Sequence, residues 1–264
     1  MEKRVTLEID NDIAYVTLNR PDKYNGIDMD MFHGITKIAQ QLKKDCSVRA
    51  VILQGAGKVF CSGLDVKSVS SNPINFGRLL VKPGRKISNL AQDVGYLWRE
   101  VPAPVIAVTH GVCYGGGLQI ALGADFRYST PDCEFSIMEA KWGLIPDLGG
   151  TWRLPRLIGL GRATEMTLSA RQVDAEEALA MGLAEIALPA QGATEAAHDL
   201  ATRLAAGPGA LRRAPRLLRE NLTRDRTDAL AAEAAAQQQC LAGPDFVEAV
   251  TAHLQGREPS FQGS

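Results

Sequence analysis

The chain has 264 residues, of which 45% are hydrophobic and 22% charged, and its formal net charge at pH 7 is -1. This is the composition of a soluble globular protein with one sizeable core, or with a core and a small appendage. The near-zero net charge gives no indication of nucleic-acid binding, which usually requires a basic stripe. The sequence contains no apolar run of about 18 residues, so no membrane-spanning helix is predicted. The amino-terminal stretch MEKRVTLEID carries no signal-peptide or transit pattern, so we expect a cytoplasmic protein.

The cysteines and histidines predict neither a disulfide framework nor a metal site. The five cysteines are an odd number and include no CxxC pair. The four histidines lie far apart in the sequence, without the spacing of metal ligands. We therefore expect no metal in the chemistry of this protein.

The first part of the chain alternates short strands with helices. Residues 5–9 and 13–18 alternate apolar and polar side chains around an Asp-Asn-Asp turn, which predicts a hairpin. Asp28 is placed to cap an amphipathic helix that runs through Lys44. Four more strands are predicted at residues 50–53, 105–108, 126–128 and 134–137. This order predicts an α/β fold built from ββα-like units.

Two later segments differ in composition from their surroundings. Residues 68–84 are rich in Ser, Asn, Pro and Gly, which predicts a loop that either closes as a lid or simply connects two elements. A helix is expected over residues 85–100. After about residue 190, four Ala-rich helices are predicted, over residues 193–206, 208–221, 227–241 and 244–254. We therefore divide the chain into a core, 1–190, and a helical carboxyl-terminal region, 191–264.

Two glycine-containing stretches are candidates for binding a negatively charged oxygen. In KVFCSGLD, residues 58–65, a Ser-Gly pair at a strand-to-helix junction leaves free N–H groups, although small residues are common at any helix start. In HGVCYGGGLQIALGAD, residues 110–125, three glycines open a helix. The second stretch lacks both GxGxxG and GxxxxGK[ST], which disfavours a nucleotide site. Its glycines instead permit close approach of the backbone to a ligand.

A third stretch, FSIMEAKWGLIPDLGGT at residues 135–151, contains two candidate acids. Glu139 and Asp147 lie among apolar residues, and such surroundings raise the pKa of a carboxyl group toward the range of a general acid or base. The alternative is structural: Glu139 would form a salt bridge, and Asp147 would cap a helix that starts near Gly149.

Taken in order, these stretches resemble the crotonase superfamily of enoyl-CoA hydratases and isomerases. The resemblance rests on NRPDKYN at residues 19–25, FCSGLD at 60–65, the glycine stretch at 111–125, and GGTWRLP at 149–155. It implies a spiral of repeated ββα units with a helical carboxyl-terminal region. It also implies an acyl-CoA substrate, whose coenzyme A is part of the substrate rather than a separate cofactor, and a homotrimer or homohexamer assembled through residues 191–264.

The resemblance assigns binding roles to six residues. The backbone N–H groups of Ser62 and Gly116 would hold the thioester oxygen, on which negative charge develops in the enolate. The coenzyme A-binding loop would contain Lys23, Tyr24, Leu64 and Asp65.

The resemblance also bears on the reaction. Gln119 occupies the place of the first of the two hydratase glutamates, Glu139 that of the second, and Asp147 matches an acid of the dienoyl-CoA isomerase branch. We therefore expect double-bond isomerisation by Glu139 and Asp147, with either acid as the base. One alternative is a hydratase that uses Glu139 while Gln119 orients water. An alternative of another class is a non-catalytic acyl-CoA-binding protein.

Overall fold

The computed structural model describes residues 3–187 and 192–263. Its strands are β1 (Val5–Asp10), β2 (Ile13–Leu18), β3 (Ala50–Gly55), β4 (Val105–Thr109), β5 (Val112–Tyr114), β6 (Phe126–Ser129), β7 (Glu134–Ser136) and β8 (Ile186–Ala187). Its helices are α1 (Met29–Leu42), α2 (Val66–Ser70), α3 (Ile74–Leu80), α4 (Leu90–Tyr96), α5 (Gly116–Leu122), α6 (Gly150–Ile158), α7 (Leu160–Ser169), α8 (Ala175–Met181), α9 (Ala193–Ala206), α10 (Ala210–Asn221), α11 (Arg226–Leu241) and α12 (Pro244–Gln255).

Six strands form one sheet in the order β1-β2-β3-β4-β6-β8, in which β1 and β2 are antiparallel and all other neighbours are parallel. The predicted hairpin is thus confirmed, with Val5 paired to Leu18. The central strands β3 and β4 are covered on both faces, which explains their continuous apolar sequence. A small parallel sheet of β5 and β7 lies beside the large one and carries α5 at its end.

Helix α1 begins as the sequence predicts, because the Asp28 carboxylate accepts a hydrogen bond from Met31 N at 2.8 Å. The helix ends at Leu42, two residues before the predicted end. Its buried face packs on the main core, which lies on one side of the large sheet.

Helix α9 covers the other side of the large sheet. Its Ala197, Ala201 and Ala205 recur every fourth residue and pack against a second apolar cluster that contains Ile52 and Val108. Small side chains at this spacing let the helix approach the strands closely. The predicted boundary at residue 190 lies outside the described residues, but α9, which follows it, is part of the sheet's packing.

The prediction of a loop at residues 68–84 is wrong, since this segment contains most of α2 and all of α3. The Asp65 carboxylate caps α2 by accepting from Ser68 N at 3.0 Å. Val69 and Leu79 are buried in the core and fix the two short helices. Burial of these two apolar side chains stabilises helical structure in a segment whose composition is otherwise typical of a loop.

The helix predicted at residues 85–100 is shorter in the structure. It begins at Leu90, after a capping box in which Asn89 and Gln92 exchange hydrogen bonds, and continues as a 3-10 turn over Leu97–Glu100. Among the described residues, no helix combines the length and apolar character that a membrane crossing requires.

Candidate active site

The candidate site lies where the loop after β3 meets the start of α5. Backbone bridges join Cys61 to Cys113 and Ile27 to Leu64, so residues far apart in sequence form one continuous layer. The two helix starts that carry FCSGLD and the GGG stretch therefore lie side by side.

The structure corrects the assignment of Ser62 as a donor to the thioester oxygen. The Ser62 N–H already donates to the carbonyl oxygen of Tyr24 at 3.0 Å, and Ser62 is exposed. In the backbone bridge between Ile27 and Leu64, the Ile27 carbonyl oxygen accepts from Asp65 N, and Ile27 N donates to the carbonyl oxygen of Gly63. Both bonds of the bridge thus use the neighbours of Leu64, and the Leu64 N–H points away from Ile27. Leu64, placed in the coenzyme A loop by sequence, is the residue whose N–H is free.

Leu64 N and Gly116 N each have no hydrogen-bond acceptor among the described residues. They lie close together, because a Cβ added at Gly116 would be 3.9 Å from Leu64 N and 2.9 Å from Ile27 Cδ1. The absence of that Cβ leaves room for an oxygen atom. Two converging N–H groups suit an oxygen that becomes negatively charged, each contributing about 3 kcal/mol in comparable sites.

Gly115 brings this donor pair next to a carboxylate. Its φ of 50° and ψ of -119° suit glycine alone, and its N–H donates to the oxygen of Ser136 at 2.8 Å. A Cβ at this position would lie 3.3 Å from Glu139 Oε1. The peptide that leads into α5 is thus packed directly against the Glu139 carboxylate.

Glu139 is mostly buried and has one oxygen in use. Its Oε1 accepts from Gln119 Nε2 at 2.6 Å, whereas its Oε2 is buried and has no hydrogen-bond partner among the described residues. Burial raises the pKa of Glu139, and the charge of Asp147 raises it further. The salt bridge considered as a structural alternative is not found within the described part of the chain.

Asp147 lies in a cleft of about 260 Å³ that Tyr96 and Trp152 also line. Burial raises the pKa of its carboxyl group. Asp147 does not cap a helix, since α6 starts at Gly150 with Gly149 in the capping position. Both acids of the third stretch therefore have the environment that a proton-transferring group requires.

Both polar atoms of the Gln119 side chain are hydrogen-bonded to the protein. Its side-chain oxygen accepts from Leu148 N at 2.8 Å and from Gly150 N at 3.0 Å, and its nitrogen donates to Glu139. The residue is 1% exposed. The amide thus joins α5, the Glu139 turn and the loop that carries Asp147, and its oxygen has no free place for a water molecule.

The residues assigned to the coenzyme A loop differ in whether their side chains are exposed or bonded within the protein. Lys23 and Tyr24 are exposed on a 3-10 turn, free to meet a large ligand. The Asp65 carboxylate instead caps α2 and accepts from Arg20 Nη1 at 2.8 Å. Burial raises the pKa of Asp65, but the hydrogen bonds from Ser68 and Arg20 outweigh it and lower the pKa. Asp65 therefore serves the loop's structure.

Sequence reasoning missed the anchoring role of Asn25. Its amide nitrogen donates to the carbonyl oxygens of Ala56, Val59 and Phe60, at 2.9, 2.9 and 3.1 Å. Its oxygen accepts from Arg20 N at 2.9 Å. The sequence signal was the Asn that ends NRPDKYN, a residue type that tolerates the left-handed backbone found here, with a φ of 53°. Asn25 ties the turn to the loop that precedes Leu64.

Replacing Gln119 with Glu is expected to make stability depend strongly on pH. A Glu at this position would keep the two backbone bonds but place a second carboxylate about 2.6 Å from Glu139. Two carboxylates this close share a proton, so their folded-state pKa rises. The folded state then binds protons more tightly than the unfolded state, and stability falls as pH increases. Urea unfolding from pH 5 to 8 measures the free energy of unfolding of both proteins. If it changes with pH in the same way in the variant and in the wild type, the expectation is contradicted.

Within the described residues, no group of three His, Cys, Asp or Glu side chains is arranged to hold a metal ion. The carboxylates at the site are those of Glu139 and Asp147. Such groups beside the Leu64 and Gly116 N–H donors would suit proton transfer.

Comparison with known proteins identifies the family to which this chain belongs. The family model described as enoyl-CoA hydratase/isomerase matches residues 8–264. A short-chain-enoyl-CoA hydratase of Clostridium acetobutylicum is 31% identical over 96% of this chain and 95% of its own. The peroxisomal Delta(3,5)-Delta(2,4)-dienoyl-CoA isomerase of Arabidopsis thaliana is 36% identical over 69% of each chain. A crystal structure of an enoyl-CoA hydratase from Bacillus anthracis superposes with a TM-score of 0.89 at 29% identity, covering 99% of this chain and 100% of the other. The chain belongs to the enoyl-CoA hydratase/isomerase family, the crotonase superfamily, whose enzymes act on coenzyme A thioesters.

Proposed function

We propose that this protein is an isomerase that moves double bonds in an enoyl- or dienoyl-CoA. The observation that carries the proposal is the arrangement of the two acids: Glu139 has a free, buried oxygen, and Asp147 lies in the adjacent cleft close enough for its charge to raise the pKa of Glu139. Two protonatable carboxylates along an extended substrate suit a reaction that removes a proton at one carbon and returns it at another.

The reaction follows from these groups. One carboxylate removes a proton from C2 of the acyl chain, and the electron pair passes to the thioester oxygen, which the N–H groups of Leu64 and Gly116 stabilise. The other carboxyl group donates a proton to the far end of the conjugated enolate. That end is C4 in a 3-enoyl group and C6 in a 3,5-dienoyl group. Each double bond moves by one position, and neither water nor a further cofactor is consumed.

Hydration fits the site less well. Adding water to a 2-enoyl thioester benefits from a second group that takes a proton from water, and the Gln119 amide does not do so at neutral pH. Its oxygen already accepts from Leu148 N and Gly150 N. The alternative in which Gln119 orients water therefore lacks a free acceptor.

The outer parts of the site support a coenzyme A thioester of this kind. We propose that Lys23 and Tyr24, exposed on the turn beside Ser62, contact the coenzyme. We also propose a homotrimer or homohexamer, in which α10 and α12 contribute apolar contacts. Leu218 is 70% exposed and Leu254 80% exposed, more than expected for side chains of this type in a solitary subunit.

A direct assay separates the candidate functions. The purified protein is given a 3,5-dienoyl-CoA in one reaction and crotonyl-CoA, a 2-enoyl thioester, in another, and absorbance follows the gain or loss of conjugation with the thioester. We expect isomerisation to be faster than hydration by at least about tenfold, because the second proton-transfer group for water is missing. Faster hydration would contradict the proposal. Binding without any conversion would indicate the non-catalytic acyl-CoA-binding protein.

A further inference from the structure

A second cavity, of about 330 Å³, adjoins the cleft that contains Asp147. The two spaces share a wall, because Tyr96 and Trp152 line both. These rings meet edge to face, with their centroids 6.4 Å apart. The aromatic pair therefore stands between the cleft and the second cavity.

The second cavity is rich in basic side chains, and its acids are already paired. Its charged lining consists of Lys43, Arg99, Arg216, Arg219, Glu100 and Glu220. Glu100 pairs with Lys43, and Glu220 pairs with Arg216 at 2.7 Å. Arg219 pairs with Asp125 at 3.0 Å, just outside the cavity. This leaves Arg99 as the lining cation without a close partner among the described residues.

Arg99 is unusually placed for an arginine. It is 8% exposed, and its guanidinium donates no hydrogen bond and forms no ion pair within the described part of the chain. Its Nη1 is buried without a partner, and the guanidinium carbon lies 5.2 Å from the centre of the Trp152 ring. Burial and the neighbouring charge of Arg219 lower the pKa of Arg99 to about 10, although Asp125 attracts it.

A buried, unpaired cation is costly, because it loses its hydration without gaining a counter-charge. A bound anion removes that cost. A carboxylate matches the planar donor fork of a guanidinium, with which it forms paired hydrogen bonds. The aromatic wall in front of Arg99 suits the hydrocarbon part of the same ligand.

We propose that the acyl group of the substrate ends in a carboxylate and that Arg99 binds it. The inference rests on the proposed function, since it takes the acyl chain of a coenzyme A thioester to lie in the cleft of Asp147. In this arrangement the chain passes the Trp152 side chain, which is 37% exposed, and places its terminal carboxylate beside Arg99. The substrate class is therefore an unsaturated acyl-CoA derived from a dicarboxylic acid.

The experiment compares two unsaturated acyl-CoA substrates of equal length, one ending in a methyl group and the other in a carboxylate. We measure kcat/KM for both with the wild type, with Arg99→Gln and with Arg156→Gln. Arg156 is the matched control, because its guanidinium also stacks on Trp152, at 4.7 Å, but does not line the cavity.

We expect the wild type to prefer the carboxylate substrate by at least about tenfold in kcat/KM, mainly through KM, which corresponds to one charge-assisted contact. Arg99→Gln should reduce this ratio at least about tenfold, whereas Arg156→Gln should retain it. The melting temperature of Arg99→Gln should equal or exceed that of the wild type, since the unpaired cation is gone. An equal preference for both substrates in the wild type, or a ratio unchanged in Arg99→Gln, would overturn the proposal.

Two further measurements distinguish this proposal from the proposed function. If neither substrate is converted, the isomerase proposal fails, and calorimetric affinities for the same two thioesters still decide whether the carboxylate is preferred through Arg99. Glutarate serves as a free dicarboxylate. Suppose that glutarate raises the melting temperature of the wild type but not of Arg99→Gln, while the wild type binds and converts the two thioesters equally well. The cavity then binds a free anion, and the assignment to the acyl chain is wrong.

Discussion

Asp147→Asn is expected to lower kcat for isomerisation by about 10²- to 10⁴-fold, the range typical of losing a general acid or base. The Asn amide keeps the size of the side chain but neither takes nor returns a proton. Because the Leu64 and Gly116 N–H groups are unaffected, affinity for the thioester should change little. Stopped-flow absorbance with a 3,5-dienoyl-CoA measures kcat, and calorimetry measures binding.

Glu139→Gln should lower kcat by a similar factor, and the double variant by little more than either single change. In the proposed reaction one acid removes a proton and the other returns one, so the loss of either blocks the same overall conversion. Asp132→Asn is the matched control, because Asp132 is an exposed acid outside the site. A full rate in Asp147→Asn would refute its role in proton transfer.

Stability provides the control for folding in Asp147→Asn. Burial raises the pKa of Asp147, so the folded state holds this proton more tightly than the unfolded state and loses stability as pH rises. At pH 7 the Asn variant should therefore melt at a higher temperature than the wild type. Each kcal/mol gained in the free energy of unfolding corresponds to about 2–4 °C. The difference should shrink as pH falls toward about 4, near the ordinary pKa of Asp.

Asn25→Asp is expected to reduce the free energy of unfolding by about 3–5 kcal/mol, the cost of an uncompensated buried charge. The Asn25 amide nitrogen donates to three carbonyl oxygens, and Asp would face those oxygens with a fourth. Urea unfolding at pH 7 measures the effect.

Asn19→Asp is the matched control for this variant. It makes the same chemical change in the same segment, NRPDKYN, but the Asn19 amide donates only to the Lys3 carbonyl, at 3.3 Å near solvent. We expect the free energy of unfolding to change by less than about 0.5 kcal/mol, as for an ordinary surface substitution. A loss in Asn25→Asp no larger than in Asn19→Asp would show that Asn25 does not anchor the loop.

Local patterns were sufficient to predict most of the elements. The hairpin follows from period-two alternation around one turn, and the start of α1 follows from the side chain of Asp28, which bonds within three residues. The carboxyl-terminal helices agree closely with their predicted ranges, and α9 matches at both ends. These features depend on interactions between residues near in sequence, which a sequence displays directly.

The segment at residues 68–84 shows where composition misleads. Its Ser, Asn, Pro and Gly content is typical of a loop, yet burial of Val69 and Leu79 stabilises two short helices. Helices this short are marginal in isolation, so contacts with distant parts of the chain decide whether they form.

The sequence by itself determined the α/β fold and the family through its ordered motifs, and it predicted Glu139 and Asp147 as the acids of the site. Only the tertiary structure decided which backbone donors are free, what holds Gln119, and that Arg99 forms no ion pair within the described part of the chain. Leu64 replaces Ser62 as a donor because the bridge to Ile27 sets the direction of each N–H. Hydrogen-bond direction and charge pairing depend on residues that meet only after folding, so no local pattern records them.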